Sequence, residues 1–167
     1  MTLSEMLLPE FDQEMASTRK SIERVPDDKL DWQPHAKSTT MRALISHLAN
    51  MPTWVGHALN EASLDVAPQG VPVRTAPVSS TREAVETFDR NVAGARAAIA
   101  KADDAAFAET WSLLQNGRTL FTMPKRVVVR SFVLNHMIHH RAQLGVYLRL
   151  NDVPVPSVYG PSADENM

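Results

Sequence analysis

Two histidines one helical turn apart constrain this chain more than any other feature. His136 and His140 stand in Val127-Val-Val-Arg-Ser-Phe-Val-Leu-Asn-His-Met-Ile-His-His-Arg-Ala-Gln-Leu-Gly-Val-Tyr-Leu-Arg-Leu150. At 3.6 residues per turn, positions i and i+4 lie one above the other, so two imidazoles can chelate one ion. At about 100° per residue, Val129, Phe132, Val133, Gln143 and Tyr147 fall within about 60° of His136, which puts the pair inside an apolar stripe. A third histidine, His47, lies on Met41-Arg-Ala-Leu-Ile-Ser-His-Leu-Ala-Asn-Met51 and shares its face with Thr40, Ala43, Leu44, Met51 and Trp54. Imidazoles on core-facing stripes need partners, because an unpaired buried polar group is costly. Two readings satisfy that need. The rings are core histidines bonded to carbonyls or to one another, or three neutral nitrogens meet on one divalent ion and leave a position open. The second is the ligand count of a catalytic zinc-type site.

The rest of the pattern is helical. Helix one is expected from Leu3 to Arg24, opened by the capping box Thr2-x-x-Glu5, with Leu7, Leu8, Phe11, Met15, Thr18 and Ile22 as its stripe. After the connector Leu30–Thr40, helix two carries His47 and either kinks or restarts at Pro52. Asp65 to Ser80 is rich in proline and suits a crossover. Helix three opens at Ser80-Thr-Arg-Glu83 and runs to about Lys101. Asn116-Gly117 signals a type I′ turn at which two short strands can pair. Helix four runs from Pro124 to Leu150. The expected architecture is one all-α domain over residues 1–167: a four-helix bundle with a long crossover between helices two and three, and room for a β-hairpin before helix four.

Composition narrows the function classes. Apolar residues are 44% and charged residues 22%, as in an ordinary globular protein. A net charge of -2 with no basic cluster gives no electrostatic footprint for nucleic acid. No apolar run approaches the ~20 residues of a membrane span. Met-Thr-Leu-Ser-Glu-Met lacks a basic region followed by an apolar one, so a cytoplasmic location is expected. The absence of cysteine excludes disulfides, thiolate ligands and a cysteine nucleophile.

Asn135-His-Met-Ile-His-His-Arg-Ala-Gln143, followed by Tyr147-Leu-Arg-Leu-Asn-Asp-Val-Pro-Val-Pro156, resembles the C-terminal signature of the DinB-like (YfiT-like) metalloenzyme family. Trp32-Gln-Pro-His, Leu44-Ile-Ser-His-Leu48 and Tyr159-Gly-Pro-Ser-Ala163 resemble its other recurring pieces, in the same order. The resemblance spans essentially the whole chain. It implies a divalent metal, zinc or nickel, on His47, His136 and His140. It also implies a small-molecule substrate, a homodimer, and relatives that use bacillithiol or mycothiol as a cosubstrate in transfer and isomerisation.

A divalent ion on three neutral imidazoles can lower the pKa of bound water toward ~7 or bind a thiol as thiolate. Thiol transfer, hydrolysis and non-catalytic metal binding are therefore all open, and no catalytic residue is assigned. Hydrolysis wants a positioned base. Met137-Ile138-His139 lacks the Glu of the zinc-peptidase motif, which leaves a base from elsewhere, such as Glu14. Binding is expected to fade toward pH ~6 as the ligands protonate. His139 could replace His140 in a chelate, or face solvent. Gln143 could orient a ligand histidine or simply cap the core. Arg141, about 140° from His136, is expected in a structural ion pair. His35 is expected to pack a loop, His57 to stand apart from the site, and Trp54 to wall a pocket or fill the core. Leu134, Ile138 and Gly145, roughly opposite His136, make a second apolar face that is buried either within the bundle or against a second copy, and a homodimer is expected.

Overall fold

The computed structural model describes residues 1–166. Helix α1, Leu3–Glu23, begins at a complete capping box. Thr2 Oγ1 accepts from the Glu5 amide, and the Glu5 carboxylate accepts from the Thr2 amide. Helix α2, Met41–Asn50, is capped by Thr40, whose hydroxyl accepts from the Ala43 amide at 3.1 Å. The chain then restarts at Pro52 as α3, Thr53–Asn60. Proline has no N–H to continue a helical ladder, so the break falls there. Helix α4, Thr81–Lys101, starts with Ser80 accepting from the Glu83 amide. The Glu83 carboxylate turns instead to the amide and hydroxyl of Ser79, so the box is only half made. A short α5, Asp104–Ala108, follows.

The last helical rod has three parts. α6, Lys125–Val127, leads into a π-helical segment, Val128–Leu134, and that into α7, Asn135–Leu150. Backbone angles stay helical across both junctions, and the Asn135 amide reaches back five residues to the Arg130 carbonyl. Pro124 ends the preceding strand and caps the rod from outside, rather than lying in its first turn. α4 packs against α1, α2 and α3, while α7 packs against α1 and α2. Phe11, Ile22, Met41, Ile45, Leu48, Phe88, Ile99, Leu134, Met137 and Leu144 fill the space between them.

The all-α expectation is corrected by a three-stranded sheet of order β1-β2-β3. β2, Thr110–Gln115, and β3, Arg118–Pro124, form the anticipated hairpin. Asn116 and Gly117 both take positive φ, 51° and 74°, as a type I′ turn demands. β1, Ser63–Asp65, pairs parallel with β2 and has no periodic signal, being three residues long. Its last residue explains it. The Asp65 carboxylate accepts from the amides of Ala67, Asn116 and Gly117 at 2.9, 3.0 and 2.7 Å, fastening the start of the crossover to the hairpin turn. Those bonds, the Ala67 amide first, hold its carboxyl below the ordinary range. Among the described residues no helix is long and apolar enough to cross a membrane.

A buried polar cluster joins α1, α7 and the C-terminal segment. Arg141 and Glu14, 4% and 8% exposed at their side chains, form an ion pair at 2.7 Å. Arg141 also donates to the Glu14 carbonyl, to Thr18 Oγ1 and, at 2.7 Å, to the Tyr159 hydroxyl; that hydroxyl in turn donates to the Glu14 carboxylate. Removing one member strands the other charge in a dry environment. Arg141→Ala is expected to lower the unfolding free energy by about 3–5 kcal/mol, measured by urea titration. A loss below about 1 kcal/mol would show that the pair contributes little.

Candidate metal centre

α2 presents His47 in its last turn, and α7 presents His136 and His140 in its first two turns. The packing of α2 on α7 brings the three together, with one ring nitrogen from each lying within 4.8 Å of the others. His136 Nε2 and His140 Nε2 are 2.8 Å apart. The His47 ring stands edge-on to both, with centroids 5.2 Å from His136 and 4.7 Å from His140.

The stripe argument placed these rings inside the core, and the structure moves them to its rim. The buried line of α2 runs through Met41, Leu44, Ile45, Leu48 and Ala49, which leaves His47 exposed on one flank. α7 buries Met137, Arg141, Leu144, Tyr147 and Leu148, with His136 and His140 half-buried beside them. A rim position leaves room for a small molecule to approach.

The electrostatics favour neutral rings. Crowding by its neighbours removes water from the His47 ring, and the nearby His140 and His136 add to this, pushing its pKa down to about 4. Burial first, then His140 and His139, lowers His136. A bond to the Phe132 backbone acts in the opposite sense. His140 is lowered by burial, partly offset by its bond to Gln143. That bond, His140 Nδ1 to Gln143 Oε1 at 2.7 Å, settles one of the readings left open by the sequence: Gln143 orients a candidate ligand. With protons on Nδ1 of both His136 and His140, their Nε2 lone pairs face each other across 2.8 Å. A proton on either Nε2 makes this contact an ordinary hydrogen bond, and a cation between them would satisfy both lone pairs, so the donor set fits a divalent ion.

The π-helical segment lies immediately before His136. Its widened turns are rare and gather at functional sites. It brings Phe132 and Val133 beside His136, where they close a cavity of about 80 Å³ together with Met51, Trp54 and His47. Phe132 lies between Trp54 and Phe121, with centroids at 5.4 and 5.2 Å, so the hairpin buttresses this wall. Trp54 thus walls the cavity, as one of its two readings had it.

The other candidates lie apart from the triad. His139 is exposed, its ring 5.0 Å from that of His140, and is not one of the three converging residues. His57 pairs with Glu61 at 2.8 Å. His35 is exposed and accepts from the Lys37 amide. Trp32 packs edge-on against Tyr147. Glu14, considered as a base, is committed to Arg141 and Tyr159. Apart from Trp54, the cavity lining was not legible as such, since Met51 and Val133 read only as core. The wide turn that creates it has no signature in residue type.

Alanine at His136 or His140 is expected to abolish most divalent metal uptake, because two nitrogens hold an ion poorly. Gln143→Ala should weaken it by about tenfold or more. Equilibrium dialysis with zinc measures both effects, and uptake like that of the unaltered chain in both histidine variants would sink the assignment. The pH dependence follows from the lowered pKa values. Because all three rings are held below the usual histidine range, binding should persist to lower pH than unperturbed imidazoles allow, and be lost as pH falls from about 6.5 toward the lowered folded values, about 4 for His47. The metal-free protein should also lose stability across that window. There the unfolded chain binds more protons than the folded one, so stability rises with pH. A melting temperature flat from pH 7 to 4.5 would contradict this.

The DinB family model matches residues 1–166, and the chain belongs to that family. A DinB-like protein from Bacillus cereus ATCC 10987 superposes with a TM-score of 0.72 at 19% identity, covering 95% of this chain and 98% of its own. A DinB-like protein from Bacillus subtilis does so with a TM-score of 0.67 at 14% identity, covering 92% and 97%. Likeness at such low identity shows a shared fold alone. No curated protein matches.

Proposed function

We propose that this DinB-family protein is a metal-dependent transferase in which His47, His136 and His140 hold one divalent ion, zinc or nickel, and a low-molecular-weight thiol takes the remaining position. The carrying observation is the convergence of three neutral imidazoles at the core rim beside a cavity. When bound, such an ion stabilises a thiolate at neutral pH. The chain supplies the rest. Gln143 fixes the orientation of the His140 ring, while Met51, Trp54, Phe132 and Val133 keep water from one side of the triad. The sulfur has to come from outside, because the chain has no cysteine. Bacillithiol or mycothiol is the expected class of donor. The cavity lining holds no charged side chain, so the polar parts of such a thiol have to lie toward solvent. Hydrolysis is less well supported, since neither the cavity lining nor the triad includes a carboxylate and Glu14 is occupied.

The same uncharged lining supports a second reading, a cytoplasmic metal-binding protein without turnover. A cobalt-substituted sample distinguishes the two. Adding bacillithiol, mycothiol or a simple thiol at millimolar concentration should produce a sulfur-to-metal charge-transfer band, and His47→Ala should abolish it. A spectrum indifferent to every thiol would favour the non-catalytic reading.

We also infer a homodimer. Its support is a groove of about 480 Å³ along the outer side of α7, lined by Ile138, Ala142, Gly145, Val146 and Leu150 among others. Val146 and Leu150 are each 58% exposed. Leu134 is fully buried within the chain, the other of the two readings of its face, and does not line the groove. Light scattering at micromolar concentration should report twice the 18.5 kDa chain mass, and the chain mass alone would contradict the dimer.

A further inference from the structure

The cavity beside the triad has features that metal binding alone does not explain. No polar atom faces it, although two of its walls are the rings of His47 and His136. Met51 and Val133, 3% and 0% exposed, form its deep side, while Trp54 and Phe132 retain partial exposure. Protein interiors are close-packed, and voids of this kind are few per domain. This one is formed partly by a rare backbone conformation, since Phe132 and Val133 both belong to the π-helical segment that ends just before His136. The Trp54–Phe132–Phe121 contacts brace its aromatic wall against the hairpin. Val133 also stands where one extra methyl group would take up part of the space.

We propose that this cavity is a subsite for a short unbranched alkyl group, carried by the small molecule that binds at the open position of the triad. The inference rests on the metal-centre reading above and adds to it the shape and polarity of what is accepted there. An apolar cavity of about 150 Å³ accommodates benzene and stays dry when empty. At about 80 Å³ this one suits a chain of roughly three carbons rather than a ring. A hydroxyl or charge at the end of that chain would find no partner in these walls and would be penalised. Trp54 and Val133 are then the residues that set chain length: Val133 closes the deep side, and Trp54 forms a wall that still touches solvent.

The test uses the full chain loaded with cobalt and reads dissociation constants from the visible spectrum. The probes are two ligand series: ethanethiol, 1-propanethiol, 2-mercaptoethanol and 1-hexanethiol, and in parallel acetate, butyrate and hexanoate. 1-Propanethiol and 2-mercaptoethanol differ only by a terminal methyl against a hydroxyl. The methyl form should bind at least tenfold more tightly. Affinity should rise by about fourfold per methylene and level off near propyl or butyl. Val133→Ile should erase the propyl preference while cobalt uptake stays intact, and Trp54→Ala should move the plateau to longer chains. Equal affinity for 1-propanethiol and 2-mercaptoethanol, or an unchanged profile in Val133→Ile, overturns the subsite. If no thiol gives a band but the carboxylates show the chain-length plateau, the thiol reading of function falls and the subsite stands. Failure to take up cobalt overturns both.

Discussion

The rotation of α7 about its own axis is the constraint on which the site depends, and the buried Arg141–Glu14 pair is the polar contact that helps hold it. Arg141 follows His140 directly, so holding its guanidinium against α1 leaves the His136 and His140 flank turned toward α2. The Tyr159 hydroxyl completes the cluster and ties down the C-terminal segment. Such a pair adds little net stability compared with a well-packed apolar alternative. Its geometry, however, is specific: Arg141 meets the Glu14 carboxylate and carbonyl, Thr18 and Tyr159 at once, which ties α1, α7 and the C-terminal segment together. The helix face that carries His136 and His140 is thus held by a polar contact on another side of the same helix, together with buried Met137, Leu144 and Leu148.

The π-helical segment contributes a second constraint. A regular helix through Val128–Leu134 would carry residues at 100° steps into α7, and the wider turns break that count just before His136. Phe132 and Val133 then stand beside the triad, and the hairpin supports them through Phe121. The hairpin anticipated at Asn116-Gly117 is thus part of the site's surroundings.

Much of this was legible in the residues. The i, i+4 spacing of His136 and His140, the caps at Thr2, Thr40 and Ser80, and the Asn116-Gly117 turn each have a local cause that a sequence displays directly. His47 was legible as a partner only because it shares a helix face with Leu44 and Met51. What stayed hidden depends on distant contacts or on backbone geometry. β1 exists because one side chain, Asp65, accepts from three amides, two of them at the hairpin turn. Tyr159 is paired with residues on α1 and α7, and no periodicity reveals that. The rim position of the triad was also missed. A helical wheel gives direction but not the width of the buried face, and on α2 that face centres on Leu44, Ile45 and Leu48 rather than on His47.

Three imidazoles converging at a half-open rim, apolar walls on one side and the absence of any cysteine are the observations behind the proposed metal centre, which would take its further ligand from solution. X-ray absorption at the zinc edge tests that claim most directly, using the full chain loaded with one equivalent of metal. The account predicts three imidazole nitrogens at about 2.0–2.1 Å. It also predicts one further light-atom ligand, replaced by a sulfur at about 2.3 Å when a thiol is added. A spectrum showing fewer than three imidazoles, or a six-coordinate oxygen shell, would contradict it.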